Sequence, residues 1–310
     1  MGLGRVGGYE LIAPLGQGGM ADVFRARALS GPHAGQDFAL KRLRKELKAD
    51  PEALAQFSSE CELSRYLNHP NIVQVHEVGA DGGELFLVME LIDGRDVGQL
   101  LRRCRERKIL WPVDFAVYLT TVLLDALGYA HRATGPDGRP LGVVHCDVSP
   151  SNFFVSRAGD LKLGDFGVAR VMVGSGTPEL LGKPFYLSPE SLRGEVTPAL
   201  DLWATAVTMY ELLTLRRPFT GKNPDEVFAA IRAGVFAPVS SLRNDVPAVV
   251  EDALAIALAP EPSLRFPDAR AFAEALEPLY DERVGTPLAI SAVVRGLFGA
   301  SEQGLPPVGF

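Results

Sequence analysis

The residues Leu141-Gly142-Val143-Val144-His145-Cys146-Asp147-Val148-Ser149-Pro150-Ser151-Asn152-Phe153-Phe154-Val155 lead into a turn at Ala158-Gly159-Asp160. They continue as Leu161-Lys162-Leu163-Gly164-Asp165-Phe166-Gly167-Val168-Ala169-Arg170. Two apolar runs around a polar turn read as a hairpin with polar residues at both open ends. Closing it brings Asp147 and Asn152, which precede it, and Asp165, which follows it, to one edge. An amide and a carboxylate suit a hard, oxygen-seeking cation such as Mg²⁺, so Asn152 and Asp165 are the candidate metal ligands. Asp147 is left to orient a hydroxyl and accept its proton. That layout suits phosphoryl transfer. The ordinary reading of an Asp before a turn is a cap or turn former.

The stretch resembles the signature of the protein kinases, with His145-Cys146-Asp147 as the catalytic-loop triplet, Asn152 five residues after the Asp, and Asp165-Phe166-Gly167. Two residues depart from it. Cys146 stands where the family usually has Arg, and Ser149 where its Ser/Thr members usually have Lys. Upstream, Gly16-Gln17-Gly18-Gly19-Met20-Ala21 forms a Gly-rich turn whose backbone N–H groups can approach phosphates. A dinucleotide-binding turn needs a helix directly afterwards. Here Val23-Phe24-Arg25-Ala26-Arg27 reads as a strand instead, which favours the kinase-type hairpin. Ala21 takes the place of the family's third glycine. Phe38-Ala39-Leu40-Lys41 matches the Val-Ala-Ile-Lys strand pattern. A helix over 51–67 carries Leu54, Phe57, Leu63 and Leu67 at helical spacing. Glu60 on it lies at the family's spacing before Asn68-His69-Pro70-Asn71, with neighbouring Glu62 as the rival partner for Lys41.

The resemblance implies ATP and Mg²⁺ as cofactors. Leu15, Gly16, Gln17, Gly18 and Gly19 would cover the phosphates, and Lys41, paired with Glu60, would hold them. Val23 and Ala39 would form the adenine roof and Phe154 its floor. Met89 would be the gatekeeper, with the backbone of Glu90 and Ile92 meeting the adenine. Asp96 is placed to take a ribose hydroxyl, or equally to cap a helix over 97–107. Ser188-Pro189-Glu190 stands for Ala-Pro-Glu, with Arg265 as the ion-pair partner of Glu190, and Asp201 would bond the catalytic-loop backbone. The catalytic set is Asp147, Lys41, Asn152, Ser149 and Lys183. The last two enter because Ser/Thr kinases pair the catalytic-loop Lys with a Thr between Gly and Pro, and here that triplet is Gly182-Lys183-Pro184. The cation is expected to have crossed the cleft, Lys183 replacing the Thr and Ser149 the Lys. Neutral Cys146 cannot receive a phosphate, so activity is not expected to require phosphorylation of Ser175 or Thr177.

The implied fold is α+β and bilobal. A five-stranded antiparallel sheet with one helix occupies residues 9–91, and a mainly helical lobe residues 92–280. Helices are expected near 112–131, 201–215, 224–233, 247–258 and 268–280. A tail over 281–310 includes a small amphipathic helix near 288–298. The implied activity is transfer of the ATP γ-phosphoryl group to Ser or Thr hydroxyls of protein substrates in bacterial signalling. The alternative is a pseudokinase, an ATP-binding regulatory scaffold, to which Cys146 and Ser149 lend weight.

Composition narrows the rest. The 310 residues are 47% hydrophobic with a net charge of −7, which offers no basic footprint for nucleic acid. Three scattered cysteines suit neither a disulfide framework nor a zinc site. No long uninterrupted apolar run or signal-peptide core is legible, so the expectation is a cytoplasmic protein without a membrane span. No sensor domain is legible either, so input is expected from a regulatory partner protein or from the tail.

Overall fold

The computed structural model describes residues 3–18, 20–166, 170–171 and 183–299. Gly19, Gly167, Ser175, Thr177 and Gly182 lie outside the described residues.

The N-terminal lobe is an antiparallel sheet of β1 (Arg5–Val6), β2 (Tyr9–Gln17), β3 (Ala21–Ala28), β4 (Asp37–Leu43), β5 (Val75–Asp81) and β6 (Glu84–Glu90), in the order β1-β2-β3-β4-β6-β5. Six strands replace the five expected, because the chain turns back at Gly7 and pairs Arg5 with Glu10. Gly7 has φ +55°, a conformation that favours glycine. Its N–H is held by the Asp81 carboxylate at 2.8 Å. Helix α1 (Pro51–Ser64) starts where Asp50 accepts from the amides of Glu52 and Ala53, with Pro51 in its first turn.

Side chains alternate across a strand, and this decides what Lys41 faces. On β4, Phe38 and Leu40 join Val6, Tyr9, Phe86 and Val88 in one apolar cluster. On the other face, Ala39 joins Val23, Phe57, Cys61, Leu87 and Met89. Lys41 shares the parity of Ala39, so it points toward α1. Residues 72–73, expected at the head of β5, pair elsewhere. Ile72 bridges Leu163, and the Val73 amide bonds the Leu163 carbonyl at 2.8 Å.

After the short strand β7 (Gly94–Asp96) come α2 (Val97–Arg107) and α3 (Val113–His131), then β8 (Val143–Val144), β9 (Phe153–Ser156), β10 (Leu161–Leu163) and β11 (Arg170–Val171). Strands β7, β9 and β10 form one small sheet, and β8 pairs β11. The larger core is built by α3, α4 (Pro198–Thr214), α5 (Pro224–Ala233), α6 (Ala248–Ala257) and α7 (Ala269–Leu276). Helix α3 is long and apolar enough, by length and composition, to cross a membrane. Asp114 and Asp125 interrupt its apolar run, and 67% of its apolar window is buried inside the protein, as suits a core helix. Helix α7 ends before the expected residue 280: Pro278 has no N–H to continue the hydrogen-bond ladder, and the chain goes on as a single 3₁₀ turn at Glu277–Leu279.

Helix α8 (Pro287–Phe298) is not a loose appendage. Ile290, Val294 and Leu297 enter the large core, and Ser291 donates to the Arg157 carbonyl at 2.7 Å. Gly159, in the β9–β10 turn, makes room for it: a Cβ there would stand 2.1 Å from the Pro287 carbonyl oxygen.

Glu190 and Arg265 form a bidentate pair at 2.6 and 2.8 Å, both side chains fully buried. Removing one partner strands a buried charge. Arg265→Met should therefore cost about 3–5 kcal/mol of unfolding free energy, read from urea midpoints. A loss below about 1 kcal/mol, the scale of an exposed pair, would show that the pair is not structurally important.

Candidate active site

The catalytic loop, residues 145–152, is fixed from below by one carboxylate. Asp201, fully buried near the start of α4, accepts the amides of His145 at 2.8 Å and Cys146 at 2.9 Å, and also bonds His131 Nε2 at 2.8 Å. Those bonds hold Cys146 at φ +66°, an uncommon conformation for a residue with a side chain. His145 is buried, bonds the Gly164 carbonyl through Nε2 at 3.1 Å, and lies 4.5 Å, ring to ring, from Phe166. Its Nδ1 accepts the Asp147 amide at 3.2 Å. The loop and the residue pair Asp165-Phe166 are thus clamped together. Asp165 is also at positive φ, +59°.

Above this loop, Lys41 bridges two carboxylates, Glu60 and Asp165, at 2.6 Å each. Of the two candidates on α1, it is Glu60 that faces the strand; Glu62 is exposed. Burial works against the Lys41 charge, but Asp165 and Glu60 outweigh it and hold its pKa above the ordinary lysine range. Burial raises the Glu60 pKa, and Lys41 offsets only part of that. For Asp165 burial again opposes ionisation, but the Lys41 cation prevails and lowers the pKa.

Asn152 donates from Nδ2 to the Asp147 carbonyl at 2.9 Å and to its Oδ2 at 2.8 Å. That leaves the amide oxygen of Asn152 on the side of the cleft. Lys183 fills the remaining position. Its ammonium lies 2.9 Å from Asp147 Oδ2, 3.0 Å from Ser149 Oγ and 3.4 Å from Asn152 Oδ1, and its amide bonds Asp147 Oδ1 at 3.2 Å. Ser149 is buried and bonds Ser151 Oγ at 3.2 Å.

The apolar residues assigned to an adenine pocket converge. Val23, Ala39, Met89, Ile92 and Phe154 belong to one buried cluster, with Leu15 packed against it. Gly16 and Gln17 pair with Val23 and Asp22 across β2–β3, and the Gly18 amide closes the turn on the Ala21 carbonyl at 2.9 Å. Asp96 accepts the Gln99 amide at 2.8 Å and caps α2. It is largely buried, and that burial raises its pKa against several backbone hydrogen bonds.

Glu90 has a contact that spacing did not reveal. Its carboxylate takes Lys162 Nζ from β10 at 2.8 Å and the Gln74 amide at 2.7 Å, tying the segment between the lobes to the C-terminal lobe. A Lys in a short strand reads from sequence as a solvated residue, so nothing pointed to this bond.

Residues 9–266 match the protein kinase domain model. The chain belongs to that family. Among its relatives, it is 36% identical to the tyrosine-protein kinase MasK of Myxococcus xanthus, across 94% of this chain and 46% of that protein. It is 34% identical to the serine/threonine-protein kinase PknL of Mycobacterium tuberculosis, across 88% of this chain and 66% of that protein. A probable serine/threonine-protein kinase of Streptomyces coelicolor is 36% identical across 97% of this chain and 44% of its own length. The chain therefore spans about half the length of MasK and of the Streptomyces coelicolor relative and about two thirds of PknL. Among solved structures, the kinase domain of Mycobacterium tuberculosis PknI superposes with a TM-score of 0.67 at 27% identity, covering 89% of this chain and 97% of that one. The kinase fold expected from the motifs is the fold found.

The raised pKa of Glu60 has a definite sign for stability. Folding favours its protonated form, so its contribution is present below the ordinary glutamate pKa and is lost as pH rises through the folded value. Carboxyl ¹³C titration should place the Glu60 midpoint above about 4.3. The stability of the wild type relative to Glu60→Gln should then fall as pH rises through that midpoint. A midpoint at or below the ordinary value would overturn the assignment.

Proposed function

We propose that this kinase domain transfers the γ-phosphoryl group of Mg·ATP to Ser or Thr hydroxyls of proteins. The observation that carries the reading is the seat of Lys183, whose ammonium bonds both Asp147 and Ser149. It supports an active enzyme over a nucleotide-binding scaffold, because the positive charge lost at position 149 is restored from another segment at the same place.

In this reading Asp147 orients the acceptor hydroxyl and takes its proton as the hydroxyl oxygen attacks phosphorus. Lys183 supplies positive charge to the equatorial phosphoryl oxygens, which need a cation at that place rather than from a particular strand. Ser149 steadies the ammonium. Lys41, aligned by Glu60, holds the phosphates, and the turn at Leu15, Gly16, Gln17, Gly18 and Gly19 covers them. Val23, Ala39, Met89 and Phe154 enclose the adenine, with the backbone of Glu90 and Ile92 at its edge. Asp96, while capping α2, takes a ribose hydroxyl.

Asn152 and Asp165 fit Mg²⁺ as the hard oxygen donors of the cleft: Asp147 engages the Asn152 amide nitrogen, and Mg²⁺ would take its oxygen and the Asp165 carboxylate in place of the longer Lys183 contact at 3.4 Å and beside Lys41. Bound there, Mg²⁺ would neutralise charge on the phosphate oxygens. The free thiols of Cys61, Cys104 and Cys146 are consistent with a reducing, cytoplasmic setting. Protein substrates and a regulatory partner protein belong to the same proposal, and the preference for Ser/Thr over Tyr follows the Ser/Thr-type relatives over MasK.

Saturating Mg·ATP should stabilise the fold by about 3 kcal/mol at a hundredfold excess over Kd, measured by thermal melting. Asp147→Asn should keep that stabilisation and lose transfer of radiolabel from ATP to a protein substrate. Transfer that survives Asp147→Asn would remove Asp147 from the chemistry, and wild type that binds Mg·ATP without transfer would favour the scaffold. Lys183→Ala should lower kcat about 10²-fold with little change in ATP affinity. Near-wild-type turnover would leave Ser149 a loss without compensation.

A further inference from the structure

A second cleft lies beside the active site, and its charge is opposite to that of the protein as a whole. It encloses about 650 Å³ between the end of α2 and the segment joining α4 to α5, with Arg105, Arg216, Arg217 and Glu211 as its ionised lining. The chain carries a net charge of −7, yet here three guanidinium groups meet one carboxylate. That carboxylate is already taken. Glu211 is 2% exposed, accepts the Tyr186 hydroxyl, pairs with Arg105, and lies 3.5 Å from Arg217. An incoming cation would have to displace one of these partners. Arg216, by contrast, is exposed and makes no side-chain ion pair among the described residues.

The cleft is coupled to the acceptor position by a short stretch of chain. The Lys183 amide bonds the Asp147 carboxylate, and residues 184–186 form one tight turn immediately after it. Arg217 stacks on Phe185 in that turn, its guanidinium carbon 4.1 Å from the ring centroid. Successive Cα atoms are about 3.8 Å apart and an extended residue spans at most about 3.5 Å, so the guanidinium lies within roughly six extended residues of a hydroxyl held at Asp147.

We propose that this cleft selects the protein substrate: it takes a segment bearing Asp or Glu within about six residues of the acceptor, with Arg216 and Arg217 as specificity-determining residues. The proposal rests on the kinase reading for the identity of the acceptor, but the binding step does not require phosphoryl transfer. A carboxylate entering the cleft meets Arg216, which no side chain among the described residues neutralises, and the outer edge of the partly exposed Arg217. A Lys or Arg in the same place meets like charge.

The test is fluorescence anisotropy with labelled peptides of one central Ser, flanked by Glu, Gln or Lys, added to the full chain. The Glu peptide should bind about tenfold more tightly than the Gln peptide at low salt, a few-fold for each guanidinium contacted. The Lys peptide should bind weakest, and the Glu advantage should shrink as salt is raised. Arg216→Glu should abolish or reverse the order. Arg216→Gln, which adds no charge, should reduce the Glu advantage with an unchanged melting temperature, a second reading should the reversal variant fold poorly. Equal binding of the Glu and Gln peptides to wild type, or an undiminished Glu preference in Arg216→Gln, would overturn the proposal. Loss of transfer with the binding order intact would count against the kinase reading instead.

Discussion

The Asp201 carboxylate, without solvent contact, holds two consecutive amides of the loop that carries Asp147. A buried carboxylate is tolerable only where donors surround it, and the loop N–H groups are those donors. The dependence runs both ways. The loop needs Asp201 to hold Cys146 at positive φ, and Asp201 needs the loop, with His131, to supply hydrogen-bond partners to its oxygens in the core. Helix α4, whose side chains from Leu200 to Thr214 are all buried, is therefore the base on which the polar site is mounted. Core packing fixes the helix, the helix fixes one carboxylate, and the carboxylate fixes the direction of the Asp147 side chain.

Charge in the cleft follows the same economy of few anchors. Lys41 stands between Glu60 and Asp165, and Lys183 stands between Asp147 and Ser149. Each ammonium neutralises a carboxylate that would otherwise repel an incoming polyphosphate. The two lysines arrive from different directions, one on a strand of the N-terminal lobe, the other at the head of the turn at residues 184–186. Neither could be replaced by its neighbour. On β4 a shift of one residue would turn the side chain to the opposite face of the sheet.

What was legible in the sequence was whatever local rules decide. The Val-Ala-Ile-Lys pattern marked Lys41, the family's spacing before Asn68-His69-Pro70-Asn71 pointed to Glu60, and apolar residues at helical spacing marked α1. That Ser149 and Lys183 would meet was legible because both departures lie in motifs of fixed spacing. Contacts between distant elements without such motifs were not. Lys162 with Glu90, and Glu211 with Tyr186, Arg105 and Arg217, join residues that no periodicity relates. The strand β1 was missed because two residues are too few to carry an alternating pattern. Helix α8 was legible as a helix, but its docking depends on Gly159 leaving room for Pro287.

The position of Lys183 bears on how far a motif can be trusted as a sign of chemistry. Read letter by letter, Ser149 is a loss, and the loop looks impaired. Read as geometry, the ammonium group is back, 3.0 Å from the side chain that took its place. A long, flexible stem can deliver a point charge to one location from more than one root, so a cation can change its place in the sequence while keeping its place in space. Cys146 is held differently: its amide is fixed by Asp201, and the nearby Lys183 ammonium is committed to Asp147 and Ser149. The two departures from the motif are therefore different in kind. One relocates a charge within the reacting centre, and the other removes a charge from its border.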